Sequence, residues 1–128
     1  MTGLSGHALG SFRSPDDTTV WLRDFAPNDI TRARYITYGY NTVVVASDDN
    51  QGVHELAHTQ LDRLVIFRQR TQTQQRPLLF VCHNLGGVVL KEALVMSSKA
   101  TDEKHKKLLE IVAVTYGLIF MGVPNLGL

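Results

Sequence analysis

The chain has 128 residues, of which 44% are hydrophobic and 20% are charged, and its formal net charge is +1. This size and composition predict one soluble globular domain. The near-neutral charge gives no electrostatic reason to expect nucleic acid as a partner. No signal peptide begins the sequence, and no apolar run reaches the roughly 20 residues that span a bilayer. Without an address signal, the cytoplasm is the favoured compartment.

In the first half of the chain, the pattern predicts a short helix, a strand and a long helix. Residues Asp16–Thr18 are N-cap candidates for the short helix, which carries Trp21 as a core anchor and ends at Pro27. Arg34–Tyr40 is rich in β-branched and aromatic residues and is a strand candidate. The ambiguous stretch Val43–Val45 also favours a strand. From Gly52 to Gln72, apolar residues recur every three or four positions and predict a helix.

The second half reads as strand, helix, helix and strand. Leu78–Cys82 and Tyr116–Val123 are continuous apolar runs, which are typical of parallel strands buried on both faces. Cys82 is predicted to be a buried thiol, and a lone cysteine excludes a disulfide framework. Helices are predicted from Val88 to Met96 and after the N-cap candidate Thr101. This order predicts an α/β fold, a three-layer α/β/α sandwich with a mostly parallel sheet.

The turn between the first apolar run and its helix carries the clearest motif. His83-Asn84-Leu85-Gly86-Gly87 resembles the nucleophile elbow of an α/β-hydrolase, in which a serine occupies the strained apex. Here the apex is Asn84. Asparagine tolerates positive φ better than most residues, so the turn can be kept. An amide is not a useful nucleophile, so the chemistry of the serine is lost.

Five stretches together resemble the lipase-like α/β-hydrolase domain of the serine-active-site-containing group, which begins many fungal multidomain proteins. They follow the expected order over nearly the whole chain, and they are Gly3–His7, Val20–Phe25, Tyr38–Tyr40, Phe80–Gly87 and Gly122–Leu128. The resemblance implies a partial α/β-hydrolase fold over residues 1–128. The first core strands of the family, and the region with its triad aspartate and histidine, are expected to be missing from these residues.

The resemblance also assigns the site. The nucleophile position falls on Asn84, with His83 as a structural residue of the elbow and Gly86 and Gly87 as the elbow glycines. The oxyanion-hole donors would be the backbone N–H groups of Leu4 and Leu85. The resemblance implies a small apolar ester or lipid as the ligand, and further domains or a protein as binding partners. Association with mitochondria or the endoplasmic reticulum membrane is an alternative location that relatives suggest.

A competing motif lies in the long predicted helix. His54-Glu55-Leu56-Ala57-His58 matches H-E-x-x-H, in which two histidines one turn apart bind zinc and the glutamate activates water. Polar flanks and the lack of an evident third ligand favour a chance match. We therefore expect no metal and no cofactor, with His54 and His58 as the weaker alternative.

These observations lead to a functional hypothesis with an alternative. The chain is interpreted as a catalytically degenerate lipase- or esterase-like domain that serves as a binding or signalling module or as part of a larger protein. The alternative is an active serine ester or lipid hydrolase, if these 128 residues are an incomplete form of the protein. A zinc hydrolase ranks third.

Overall fold

The computed structural model describes residues 1–2, 7–40, 49–99 and 106–125, with 49–51 and 106–107 described by their backbone alone. After a 3-10 turn at Gly10–Phe12, the elements are α1 (Trp21–Asp24), α2 (Ala26–Asp29), α3 (Asp49–Arg70), β1 (Leu78–His83), α4 (Leu85–Ser98), α5 (Lys106–Val114) and β2 (Thr115–Met121). A small parallel sheet with helices confirms the mixed α/β class. The predicted strand at Val43–Val45 and the N-cap at Thr101 lie outside the described residues.

The core lies where α3, α4 and α5 meet. Its buried apolar side chains come from all three helices, and they are Ala57, Leu61, Leu85, Val89, Ala93, Leu108 and Ile111. The three- and four-residue spacing predicted this stripe on α3, and the prediction is confirmed. Fully burying one such aliphatic side chain contributes about 1.5–3 kcal/mol. At the end of α4, the buried hydroxyl of Ser97 donates a hydrogen bond to the carbonyl of Leu108 and links α4 to α5.

β1 and β2 pair in parallel, and α4 and α5 form the connection between them. Phe80 lies opposite Leu118 and Cys82 lies opposite Phe120 in this register. Leu78 and Phe80 pack against the helical core, and Cys82 is completely buried. Burial raises the pKa of the Cys82 thiol because the thiolate would lose its hydration. The predicted burial of this cysteine is therefore confirmed.

The prediction that both strands are buried on both faces is wrong. Successive side chains of a strand point to opposite faces of the sheet. On the face away from the helices, Leu79, Ile119 and Met121 are 56%, 48% and 54% exposed. We call these three residues the bare face of the sheet. An unbroken apolar run shows that both faces of a strand could be buried. In this structure the described helices pack on only one face of the sheet.

The segment before α3 also departs from the sequence prediction. Arg34–Tyr40 forms no strand, and its aromatic rings stack instead, with 6.1 Å between the ring centroids of Tyr38 and Tyr40. The Tyr40 hydroxyl donates to the carbonyl of Thr2 at 2.8 Å, and burial raises the pKa of Tyr40 to about 12. Trp21 is 47% exposed and is not a core anchor. The aromatic side chains of this segment therefore stack on each other, and the segment does not join the sheet.

The boundaries of the short helices follow local hydrogen bonds. α1 begins after Val20, whose N–H donates to the carboxylate of Asp24 at 2.7 Å, so Asp24 reaches back to the helix start. The predicted cap Asp16 instead accepts hydrogen bonds from Ser14 and Thr18 within the preceding turn. Pro27 lies in the first turn of α2, where its missing N–H costs nothing, so it opens a helix rather than ending one.

Arg68 fixes the entry to β1. Its side chain is only 4% exposed, and its guanidinium donates to the carbonyls of Gln74 and Arg76. A buried charge of this kind is tolerated when hydrogen bonds replace its water. The arginine therefore holds the turn after α3 in place and sets where the central strand begins. A sequence pattern that treats arginine as a surface residue does not find this role.

The bare face leads to a prediction about self-association. We expect the protein to self-associate as its concentration rises, because an uncovered apolar sheet face is prone to pairing. Ile119→Glu should reduce this association. Ile66→Glu is the matched control, since Ile66 on α3 is 53% exposed but lies off the sheet. Both changes should alter the free energy of unfolding by no more than about 0.5 kcal/mol.

Size-exclusion chromatography over a range of concentrations measures the effect. A wild-type protein that stays monomeric throughout, or an equal response to Ile119→Glu and Ile66→Glu, would contradict the prediction.

Candidate functional site

The candidate site lies at the turn that joins β1 to α4. Asn84 is the single residue between the two elements, and its side chain is exposed. Its backbone angles are φ 50° and ψ −127°. These are close to the first central position of a type II′ turn, where glycine predominates. The sequence therefore placed the strained residue correctly, at the junction of strand and helix.

Both strands end at this turn. The backbone N–H of Asn84 donates to the carbonyl of Met121, the last residue of β2, at 3.0 Å. The carbonyl of Asn84 accepts a hydrogen bond from the N–H of Gly87 at 3.0 Å. The apex is thus tied both to the neighbouring strand and to the first turn of the helix. Such an edge, beyond the carboxyl ends of parallel strands, is where α/β proteins place ligand sites.

The two glycines allow close packing around the apex. A Cβ atom on Gly86 would lie 2.4 Å from the carbonyl oxygen of Thr2, and one on Gly87 would lie 2.3 Å from Cγ2 of Val123. Any side chain would push these groups apart. The elbow glycines are therefore required by the packing of the start and end of the chain against α4.

Residues 1–2 lie beside β1 like a third parallel strand. The Met1 nitrogen donates to the carbonyl of Val81 at 2.6 Å, and the N–H of His83 donates to the carbonyl of Met1 at 3.1 Å. This is the hydrogen-bond pattern of a parallel pairing between Met1 and Cys82. Thr2 is 1% exposed. The pairing places the carbonyl oxygen of Thr2 next to Gly86 at the start of α4.

The two predicted oxyanion donors have different outcomes. Leu4 lies outside the described residues, so its role stays a prediction. Leu85 is the first residue of α4, so its N–H has no acceptor within the helix. This N–H, together with the positive end of the helix dipole, can donate to an acceptor above the turn.

His83 lies beside the apex and has no acidic partner among the described residues. Its side chain is exposed, and Nε2 is 4.0 Å from the position a Cβ of Gly122 would occupy. In the part of the chain that the structure describes, the two histidine–carboxylate pairs involve other histidines, His54 and His58. A histidine that acts as a base for a nucleophile is usually oriented by such a partner. His83 is the last residue of β1, next to the apex.

Lys91 on α4 connects the helix to the segment that follows β2. The sequence interpretation did not identify this residue. Its ammonium donates to Oδ1 of Asn125 and lies 3.5 Å from the carbonyl oxygen of Pro124. It also lies 5.2 Å from the ring centroid of Phe120, within the range of a cation–π contact. Lys91 is seven residues after Asn84, so two helical turns bring it to the same side of α4. That seven-residue spacing was the sequence feature from which Lys91 could have been assigned to the site.

The two histidines of the H-E-x-x-H motif each pair with a carboxylate. His54 Nδ1 is 2.9 Å from Oε1 of Glu92 on α4, and His58 Nδ1 is 3.1 Å from Oδ2 of Asp62. Both histidines are exposed. Among the described residues, no three histidine, cysteine or acidic side chains are grouped to hold a metal ion. The His54–Glu92 pair instead links α3 to α4.

A shallow surface depression among the described residues lies away from the apex. It lies between α3 and α5, where Val65, Arg68 and Ile111 line it, and Asn84 is not part of it. None of the described helices is long and apolar enough to cross a membrane.

No protein-family model, curated protein or solved structure matches the chain.

The close packing of the elbow predicts the effect of a small substitution. Gly87→Ala should lower the free energy of unfolding by about 1–3 kcal/mol, because the added methyl group overlaps Val123. In an unconstrained helix the same change would instead stabilise by up to about 1 kcal/mol. Gly10→Ala is the comparison, since its added Cβ would lie 3.2 Å from Cβ of His7, a tight contact that a shift of a few tenths of an ångström relieves, and its loss of stability should be smaller. Urea unfolding measures both, and an unchanged or higher stability of Gly87→Ala would contradict the packing.

Proposed function

We propose that the chain is a catalytically degenerate α/β-hydrolase-like domain that works as a binding or signalling module. The three-layer α/β/α sandwich and the partial hydrolase domain over residues 1–128 are part of this proposal. The observation that carries it is Asn84, with φ 50° and ψ −127°, between β1 and α4. An exposed polar residue is held in a sparsely populated conformation at the edge where such folds bind ligands.

The chemistry of the apex supports binding rather than turnover. The Asn84 amide nitrogen is delocalised into its carbonyl and has no proton that a histidine could remove at neutral pH. His83 beside it has no carboxylate partner among the described residues. The amide can still donate and accept hydrogen bonds. The turn can thus bind a polar group without carrying the nucleophile of a hydrolase.

The surroundings of the apex favour a small apolar ester or lipid as the ligand. The N–H of Leu85, which has no acceptor within α4, can donate to an ester carbonyl. Exposed Met121 and Ile119 lie on the adjoining bare face and offer contacts for an acyl chain. A protein partner or a further domain that covers the same face is compatible with a signalling role. Net charge of +1 gives no support to nucleic acid.

A combined activity and binding experiment tests the proposal. A fluorophosphonate probe should leave the protein unlabelled, and Asn84→Ser should raise labelling by less than about tenfold over background, because a serine without a base is a weak nucleophile. Ser98→Ala, a change of an exposed serine on α4, is the control for nonspecific labelling. A medium-chain ester added to ¹⁵N-labelled protein should shift the amide resonances of Leu85 and Gly86 without being hydrolysed.

The outcomes separate the alternatives. Specific labelling of the wild-type protein, or hydrolysis of the ester, would favour the active serine hydrolase. Unchanged amide resonances at saturating ester would reject this ligand class.

A further inference from the structure

We propose that Asn84 is a site of spontaneous chain modification, where the side chain cyclises with the nitrogen of Leu85 and converts to aspartate and isoaspartate. The inference goes beyond the proposed function and rests on the geometry of the turn alone. Cyclisation makes a five-membered ring from the Leu85 nitrogen and the carbonyl carbon, Cα, Cβ and Cγ of Asn84. The ring can close only if Cβ and the Leu85 nitrogen lie nearly eclipsed about the Cα–C bond.

The backbone of Asn84 already meets this condition. In an L-residue, Cβ and the backbone nitrogen are about 120° apart around the Cα–C bond, so a ψ of −127° brings Cβ within about 10° of eclipsing the Leu85 nitrogen. Helical and extended residues have ψ near −42° or +135° and hold Cβ far from this alignment. The turn therefore presets the torsion for ring closure.

The balance of the reaction needs only water. The Leu85 N–H gives its proton to solvent base, and the nitrogen attacks Cγ of Asn84. The bond from Cγ to the side-chain nitrogen breaks, and ammonia leaves after taking up a proton. Water then opens the succinimide at Cγ, which gives aspartate, or at the backbone carbonyl, which gives isoaspartate. Nothing is oxidised or reduced, and the net change is one water gained and one ammonia lost.

Two further features of the site assist these steps. The Leu85 N–H is not used by the helix ladder because it begins α4, so no intrahelical hydrogen bond must break before it reacts. The Asn84 side chain is exposed, so water and base can reach it. Negative charge develops on the attacked amide in the transition state. The positive end of α4 stabilises that charge.

The chain contains its own matched control. Asn125 is also followed by leucine, so the intrinsic reactivity of the two Asn–Leu sequences is the same in an unfolded chain. In the folded protein, Asn125 Oδ1 accepts a hydrogen bond from Lys91. Any difference in rate between Asn84 and Asn125 therefore reports the fold rather than the neighbouring residue.

The experiment follows both sites in the same sample. The full chain is incubated in mildly alkaline buffer, in the folded state and in concentrated urea, and tryptic peptides are analysed by mass spectrometry. Cleavage after Arg70 and Lys91, and after Lys107, gives two peptides that each contain a single asparagine, Asn84 or Asn125. The Asn84→Asp variant provides the chromatographic standard for aspartate. Hydroxylamine, which cleaves a succinimide, should cut the folded chain after residue 84.

In the folded protein we expect Asn84 to convert at least about tenfold faster than Asn125, because the preset torsion removes part of the cost of orientation. In urea the two rates should become equal. Circular dichroism confirms that the first sample stays folded. Equal rates in the folded protein, or slower conversion of Asn84 when folded than in urea, would overturn the proposal.

Discussion

The structure depends on the close packing of two glycines at the start of α4. Gly86 lies against the backbone of Thr2, and Gly87 lies against the side chain of Val123. These contacts bring residues 1–2 and the segment after β2 to the same turn and leave Asn84 in the conformation that joins strand to helix. The packing of α3 and α5 on α4 in the helical core offsets the conformational free energy that this backbone geometry costs. Stability and the candidate site are thus coupled through one turn.

The distribution of apolar surface follows from the same arrangement. α3, α4 and α5 cover the face of the sheet that carries Phe80 and Cys82, while the bare face remains exposed. The bare face adjoins the apex, because Met121 is both its last residue and the acceptor of the Asn84 N–H. A ligand or partner that binds at the turn would therefore meet polar groups on one side and apolar groups on the other. This juxtaposition is the physical basis of the proposed binding role.

Local patterns predicted the elements that local forces decide. Periodicity gave α3, and the sequence around Asn84 gave both the strand–turn–helix order and the positive φ of its apex. Features that depend on distant neighbours were not predictable in this way. An apolar run cannot tell whether one face or both are covered, so the bare face was missed. The contact of Lys91 with Asn125 and the burial of Arg68 likewise arise only when separate elements pack.

The central claim is that packing forces Asn84 into a conformation with positive φ, and the stability of two variants tests it most directly. Asn84→Gly should raise the free energy of unfolding, because glycine adopts this conformation without steric cost. Asn84→Ala should lower it by roughly 1 kcal/mol, since alanine tolerates positive φ less well than asparagine. Urea unfolding of the three proteins gives the order. Glycine above asparagine above alanine is the predicted result, and an alanine variant as stable as the glycine variant would contradict the account.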